Sequence, residues 1–208
     1  MICFDRKTWL TCVGALWLHT ALAAPVAVTL ASKPGSSAEN TVLIFDPLNA
    51  TPPAGHDNAI IDQINKRFVP RINVVRTGTL VTFPNSDQIH HEVYSFSPAK
   101  VFQLKLYART PSAPVTFDKP GLVVLGCNIH DKMLAFVGVV DTPYFAKADA
   151  AGKAVFNLPA GRYRLRVWNP GLAAPVPSQE VAVDQTPLAI ALNIDIDAAP
   201  SAVAAWPE

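Results

Sequence analysis

No stretch of this 208-residue chain sustains the apolar recurrence of an amphipathic helix, whereas short alternating runs bounded by proline, glycine or asparagine fill most of its length. The best helical candidate, Ile60 to Phe68, is short. Nineteen prolines, together with frequent Val, Ile, Thr and Phe, argue for many short strands. Strands are expected near Val26–Ala31, Thr41–Phe45, Arg71–Arg76, Leu80–Phe83, His91–Phe96, Phe102–Tyr107, Val115–Phe117, Gly121–Cys127 and Leu134–Val140. Thr77-Gly78-Thr79 reads as a hairpin turn, and Pro84-Asn85-Ser86-Asp87 and Lys119-Pro120-Gly121 as further turns. The pattern predicts an all-β antiparallel sandwich of two packed sheets.

After Asp141-Thr142-Pro143 a second set of runs follows: Phe145 to Asp149, Gly152 to Asn157, Gly161 to Trp168, Gln179 to Val183 and Leu188 to Asn193. Arg162, Arg164 and Arg166 alternate with Tyr163, Leu165 and Val167, a strand with one polar and one buried face. The expected division is residues 1–23 as a leader, 24–141 as a first sandwich, 142–195 as a small second sandwich, and 196–208 as a loose Ala/Pro-rich tail.

Arg6 and Lys7 precede an apolar run from Thr8 to Leu22, and Ala21-Leu22-Ala23 supplies small residues where a signal peptidase reads. Cleavage is expected after Ala23, giving a soluble periplasmic or secreted protein with no stable membrane span. Trp9-Leu10-Thr11 does not make Cys12 a lipoprotein signal. Without Asp5, Arg6 and Lys7 the chain keeps 15 basic and 15 acidic residues of its original 17 and 16, so nucleic acid is not an expected partner.

Export removes Cys3, Cys12 and His19. Cys127 is then the single cysteine, in a compartment where cysteines normally pair, so it calls for a partner chain, a metal or a reactive role. It begins Cys127-Asn-Ile-His130-Asp-Lys-Met133, which also holds the single remaining methionine. A soft thiolate, an imidazole and a weak axial thioether are what copper takes in a trigonal site serving both of its oxidation states. A second histidine is needed. His56, in the Pro52 to Asn58 stretch, reads as a solvated loop residue, which leaves the adjacent His90 and His91. If His91 points inward, Val93 and Ser95 follow it and Glu92 stays in water; if His90 does, an unpaired Glu92 carboxylate is buried. This favours His91, with His90 the alternative. Tyr94 and Phe96 suit the opposite register, and a bulge could reconcile the two.

With these residues in place, the chain resembles the cupredoxins, the small blue copper proteins. The loop Cys127-x2-His130-x2-Met133 is similar to the short ligand loop of amicyanin, and Phe83-Pro84-Asn85-x5-His91-x-Val93 resembles the first-ligand region of the plastocyanin-like members. Over Val26 to Val140 the resemblance implies a Greek-key sandwich and one copper ion cycling between Cu(I) and Cu(II). It implies His91, Cys127, His130 and Met133 as ligands and Asn85 as a brace for the cysteine loop. The carboxy-terminal unit, with Asp149-x2-Gly152 and Leu158-Pro159-Ala160-Gly161-x-Tyr163, resembles the carboxypeptidase-regulatory-like sandwich, and the whole resembles bacterial methylamine-utilisation proteins. The function so implied is one-electron transfer with redox partner proteins in the periplasm. Its rival is a copper carrier or sensor that hands the metal to an acceptor. Zinc is disfavoured by the thioether. A cysteine nucleophile is disfavoured because thiol enzymes draw their histidine from a distant element, and no other enzyme signature is found.

Overall fold

The computed structural model describes residues 23–53, 55, 57–111, 113–130, 132–197 and 204–207. The expected leader, apart from Ala23, lies outside these residues, as do His56 and much of the tail. Among the described residues there is no helix, and so none long and apolar enough to cross a membrane. The all-β expectation holds throughout.

The chain opens with β1 (Ala23–Ser32) and β2 (Val42–Pro47). Its middle holds β3 (Asn58–Ile60), β4 (Asp62–Gln63), β5 (Phe68–Val69), β6 (Ile72–Arg76), β7 (Thr79–Thr82), β8 (His91–Ser97), β9 (Lys100–Tyr107), β10 (Val115–Phe117), β11 (Gly121–Gly126) and β12 (Leu134–Val140). It closes with β13 (Phe145–Lys147), β14 (Lys153–Pro159), β15 (Gly161–Trp168), β16 (Gln179–Val183) and β17 (Leu188–Ile194).

Four sheets stack into two sandwiches. The outer sandwich has the orders β14-β1-β17 and β13-β2-β15-β16; the inner one has β6-β12-β11-β8-β9 facing β10-β7-β3, with the β4-β5 ribbon beside it. Strand faces explain the stacking, since successive side chains point to opposite sides. In β2, Leu43 and Phe45 enter the outer core with Val28, Phe156 and Leu165. Val42 and Ile44 on its other face meet Phe136, Val140 and Trp168. In β12, Phe136 and Val140 face that junction while Ala135, Val137 and Val139 enter the inner core. Both strands are buried on both sides, which is why they read as continuous apolar runs.

Four expectations from the sequence are corrected. First, the 24–141 unit does not contain its own first two strands. β1 runs between β14 and β17, and β2 between β13 and β15, so the second sandwich takes its central strands from the start of the chain. Second, Ile60 to Phe68 is no helix. Ile61, Gln63 and Phe68 are buried from extended backbone, and Asn65 and Lys66 take φ of 54° and 59° in a tight turn. Third, Thr77-Gly78-Thr79 joins no hairpin. Gly78, at φ 93°, turns the chain from β6 in one inner sheet to β7 in the other, its N–H donating to the Phe117 carbonyl at 2.7 Å. Fourth, residues 204–207 of the expected loose tail are docked. Trp206 stacks 5.2 Å from Trp168, ring centre to ring centre, in space left by Gly138, while Arg166 pairs with Asp46 and donates to the Pro207 carbonyl at 2.7 Å.

Candidate metal centre

Three segments of the inner sandwich converge at one end. β11 ends at Gly126, so Cys127 is the first residue beyond it, and β12 resumes at Leu134, paired with Gly126. The loop between is tied at both strand ends and closed by the Met133 N–H donating to the His130 carbonyl at 2.9 Å. Gly126 leaves room at its root for Tyr94: a Cβ there would lie 2.7 Å from the Tyr94 ring, which would have to move. His91 opens β8, which borders β11 in the same sheet.

His91 is fully buried, Cys127 is 4% exposed and His130 is half-buried; one donor atom from each lies within 4.8 Å of the others. Cys127 Sγ is 3.9 Å from His91 Nδ1 and 4.0 Å from His130 Nδ1, and the two rings are 5.0 Å apart. Nitrogen and sulfur atoms roughly 2.0 and 2.3 Å from one centre stand about 3.7 Å apart in a trigonal arrangement and about 3.5 Å apart in a tetrahedral one. The observed separations are a few tenths of an ångström wider than either, so the three donor atoms are close enough to share one metal ion. Met133 is buried in the same apolar core as Cys127. His90 is exposed and stands outside the group.

The inward turn of His91 carries Val93 and Ser95 with it and leaves Phe96 in solvent, as alternation requires. Glu92 departs from the expectation that it stays in water. Its carboxylate is buried and accepts a hydrogen bond from the Gln103 side chain. The pairing of β8 with β9 shifts register between His91 and Val93, with the extra residue on β9. β8 itself still alternates, so Glu92 lies on the face opposite His91 and is covered there by Gln103.

Asn85 is buried, but its bonds run elsewhere than to the cysteine loop. Its Nδ2 donates to the Ile89 carbonyl at 2.8 Å and the Tyr107 carbonyl at 3.1 Å, and its Oδ1 accepts the Asp87 N–H at 3.1 Å. It therefore shapes the turn that delivers His91. Asp87 Oδ2 meets His91 Nε2 at 2.8 Å, a contact the turn reading of Pro84–Asp87 gave no reason to expect. The spacing of a carboxylate four residues before the histidine was its one visible signal. Tyr107, paired with His91 across the sheet, donates to the Phe83 carbonyl at 2.7 Å and accepts from Gln63 at 2.5 Å. Burial pushes its phenol up to about 12 against the opposing Gln63 bond, and the nearby Cys127 and Asp62 add to the rise. It acts as a neutral strut behind the site.

This geometry separates the adjacent histidines. His91→Ala is expected to destroy any metal-dependent spectrum, and His90→Ala to leave it almost unchanged; equal loss in both variants would contradict the placement.

No known family pattern and no curated protein matches the chain. Among solved structures it is similar to a purple cupredoxin from Nitrosopumilus maritimus, at 22% identity and TM-score 0.35 over 39% of this chain and 98% of that one. It is similar to a reduced Cu(I) form of an amicyanin variant at 18% identity and TM-score 0.36, over 47% and 97% of the two chains. A copper-containing nitrite reductase from Thermus scotoductus matches at 19% identity and TM-score 0.38, over 53% of this chain and 28% of its own length. The functional reading rests on the geometry of the site instead.

Proposed function

We propose that this protein is a periplasmic one-electron carrier in which His91, Cys127 and His130 would hold a single copper ion, with the Met133 thioether as a weaker fourth ligand. The observation that carries the reading is the convergence of a thiol and two imidazole nitrogens, from the Cys127–Met133 loop and the start of β8, within 4.8 Å in a largely buried setting. Bound there, copper would supply a one-electron couple between Cu(I) and Cu(II).

The protein's own residues supply rigidity. Cys127 and His130 are fixed by a loop pinned between paired strand ends, and His91 by the sheet and its Asp87 contact, so neither oxidation state demands new ligand positions. Burial of Cys127 and Met133 keeps water from the sulfur ligands, whereas half-buried His130 offers the short path to a partner redox protein.

Cyclic voltammetry of the copper-loaded protein tests this. Reversible one-electron cycling with copper retained is expected, and Met133→Leu should shift the potential without releasing the metal. Loss of copper on reduction or oxidation would overturn electron transfer and point to a protein that delivers copper to an acceptor.

A further inference from the structure

We propose that Asp87 is the positioning residue of this centre: its carboxylate holds the proton of His91 on Nε2, turns Nδ1 towards Cys127, and biases a bound copper ion towards its higher oxidation state. The last part rests on the copper reading; the first two belong to the protein alone.

Asp87 Oδ2 lies 2.8 Å from His91 Nε2, with the ring fully buried and the Asp87 side chain 13% exposed. An ionised carboxylate only accepts hydrogen bonds, so Nε2 must carry the proton, which leaves Nδ1, 3.9 Å from Cys127 Sγ, as the free donor atom. The carboxylate is itself held. Oδ1 accepts the Asn65 N–H at 2.6 Å, Oδ2 accepts the Lys66 N–H at 2.9 Å, and the Asp87 N–H donates to Asn85 Oδ1 at 3.1 Å.

The two N–H groups come from the residues at positive φ in the β4-β5 turn, so the left-handed backbone there aims two adjacent donors at Asp87. A chain of contacts therefore runs from the Asn65-Lys66 turn through Asp87 to His91 and the site. A carboxylate behind a ligating imidazole fixes its tautomer and orientation and raises its basicity, which favours the more highly charged metal.

Imidazole nitrogen NMR on the full metal-free chain tests the first part directly. His91 is expected wholly as the Nε2–H tautomer with a slowly exchanging proton; an Nδ1–H form or a tautomer mixture would overturn the proposal. In Asp87→Asn the tautomer should become mixed while the His130 signals stay in place, and an unchanged His91 would again overturn it. If that variant fails to fold, the wild-type tautomer still decides. With copper bound, Asp87→Asn should raise the potential. Asp62→Asn, which removes a neighbouring carboxylate bonded to Ser86 Oγ at 2.8 Å, should leave it close to wild type. Equal shifts in the two variants would reduce the effect to bulk charge and contradict the assignment. A wild type with the Nε2–H tautomer but no affinity for copper would sink the copper reading and leave the positioning role standing.

Discussion

Cys127→Ser is expected to abolish copper retention and the visible thiolate-to-copper band together, while the fold survives. Serine offers a hard, protonated oxygen where the site needs a soft anion, and no other described cysteine can replace it. The substitution also places a hydroxyl in the apolar core shared with Leu125 and Met133. An unpaired buried hydroxyl costs about 1–3 kcal/mol, enough to lower the melting temperature of the metal-free protein but not to unfold a domain of this size. Absorption and thermal unfolding of the same sample separate the two effects. A variant that stays coloured would remove the thiolate from the site.

Deleting residues 23–47 should be equally drastic, this time for the fold. It removes the strand between β14 and β17 and the strand between β13 and β15, splitting both outer sheets. It strips Val26, Val28, Leu30, Leu43 and Phe45 from the outer core that Phe156, Leu158 and Leu165 share with them. Burying such side chains contributes roughly 1.5–3 kcal/mol each, so the loss is comparable to the whole net stability of a typical domain. Limited proteolysis should then cut freely between residues 145 and 194. Protease resistance of that region in the deleted protein would show that 142–195 folds alone and contradict the observed pairing.

How far the sequence reached follows from what each kind of pattern encodes. Alternation in Gly161–Trp168 or His91–Phe96 reports which face of a strand is buried, and those strands lie where the pattern put them. It does not report which strand lies alongside. Val42-Leu43-Ile44-Phe45 carried no sign that its partners are β13 and β15, about a hundred residues away, and the two-residue strands β4 and β5 are too short to show a period. At the centre, ligand chemistry singled out Cys127, His130 and His91 because few soft or imidazole groups remain to choose from, and the geometry gathers those three. Asp87 showed only its spacing four residues before His91, because its role depends on a turn at Asn65-Lys66 that makes contact only through the fold. Glu92 was misplaced because its shelter, Gln103, lies across a bulge that alternation cannot foresee. Trp206 sat in a composition that reads as tail, yet its ring packs over Gly138 while Arg166 holds the Pro207 carbonyl beside it.

The central claim is that His91, Cys127 and His130 form a copper site, and a copper titration of the metal-free protein followed by visible absorption tests it most directly. The account predicts one equivalent of Cu(II) bound, with an intense visible band that grows to saturation at that ratio and fails to appear with zinc. A protein that stays colourless with copper, or that binds zinc in preference, would contradict it.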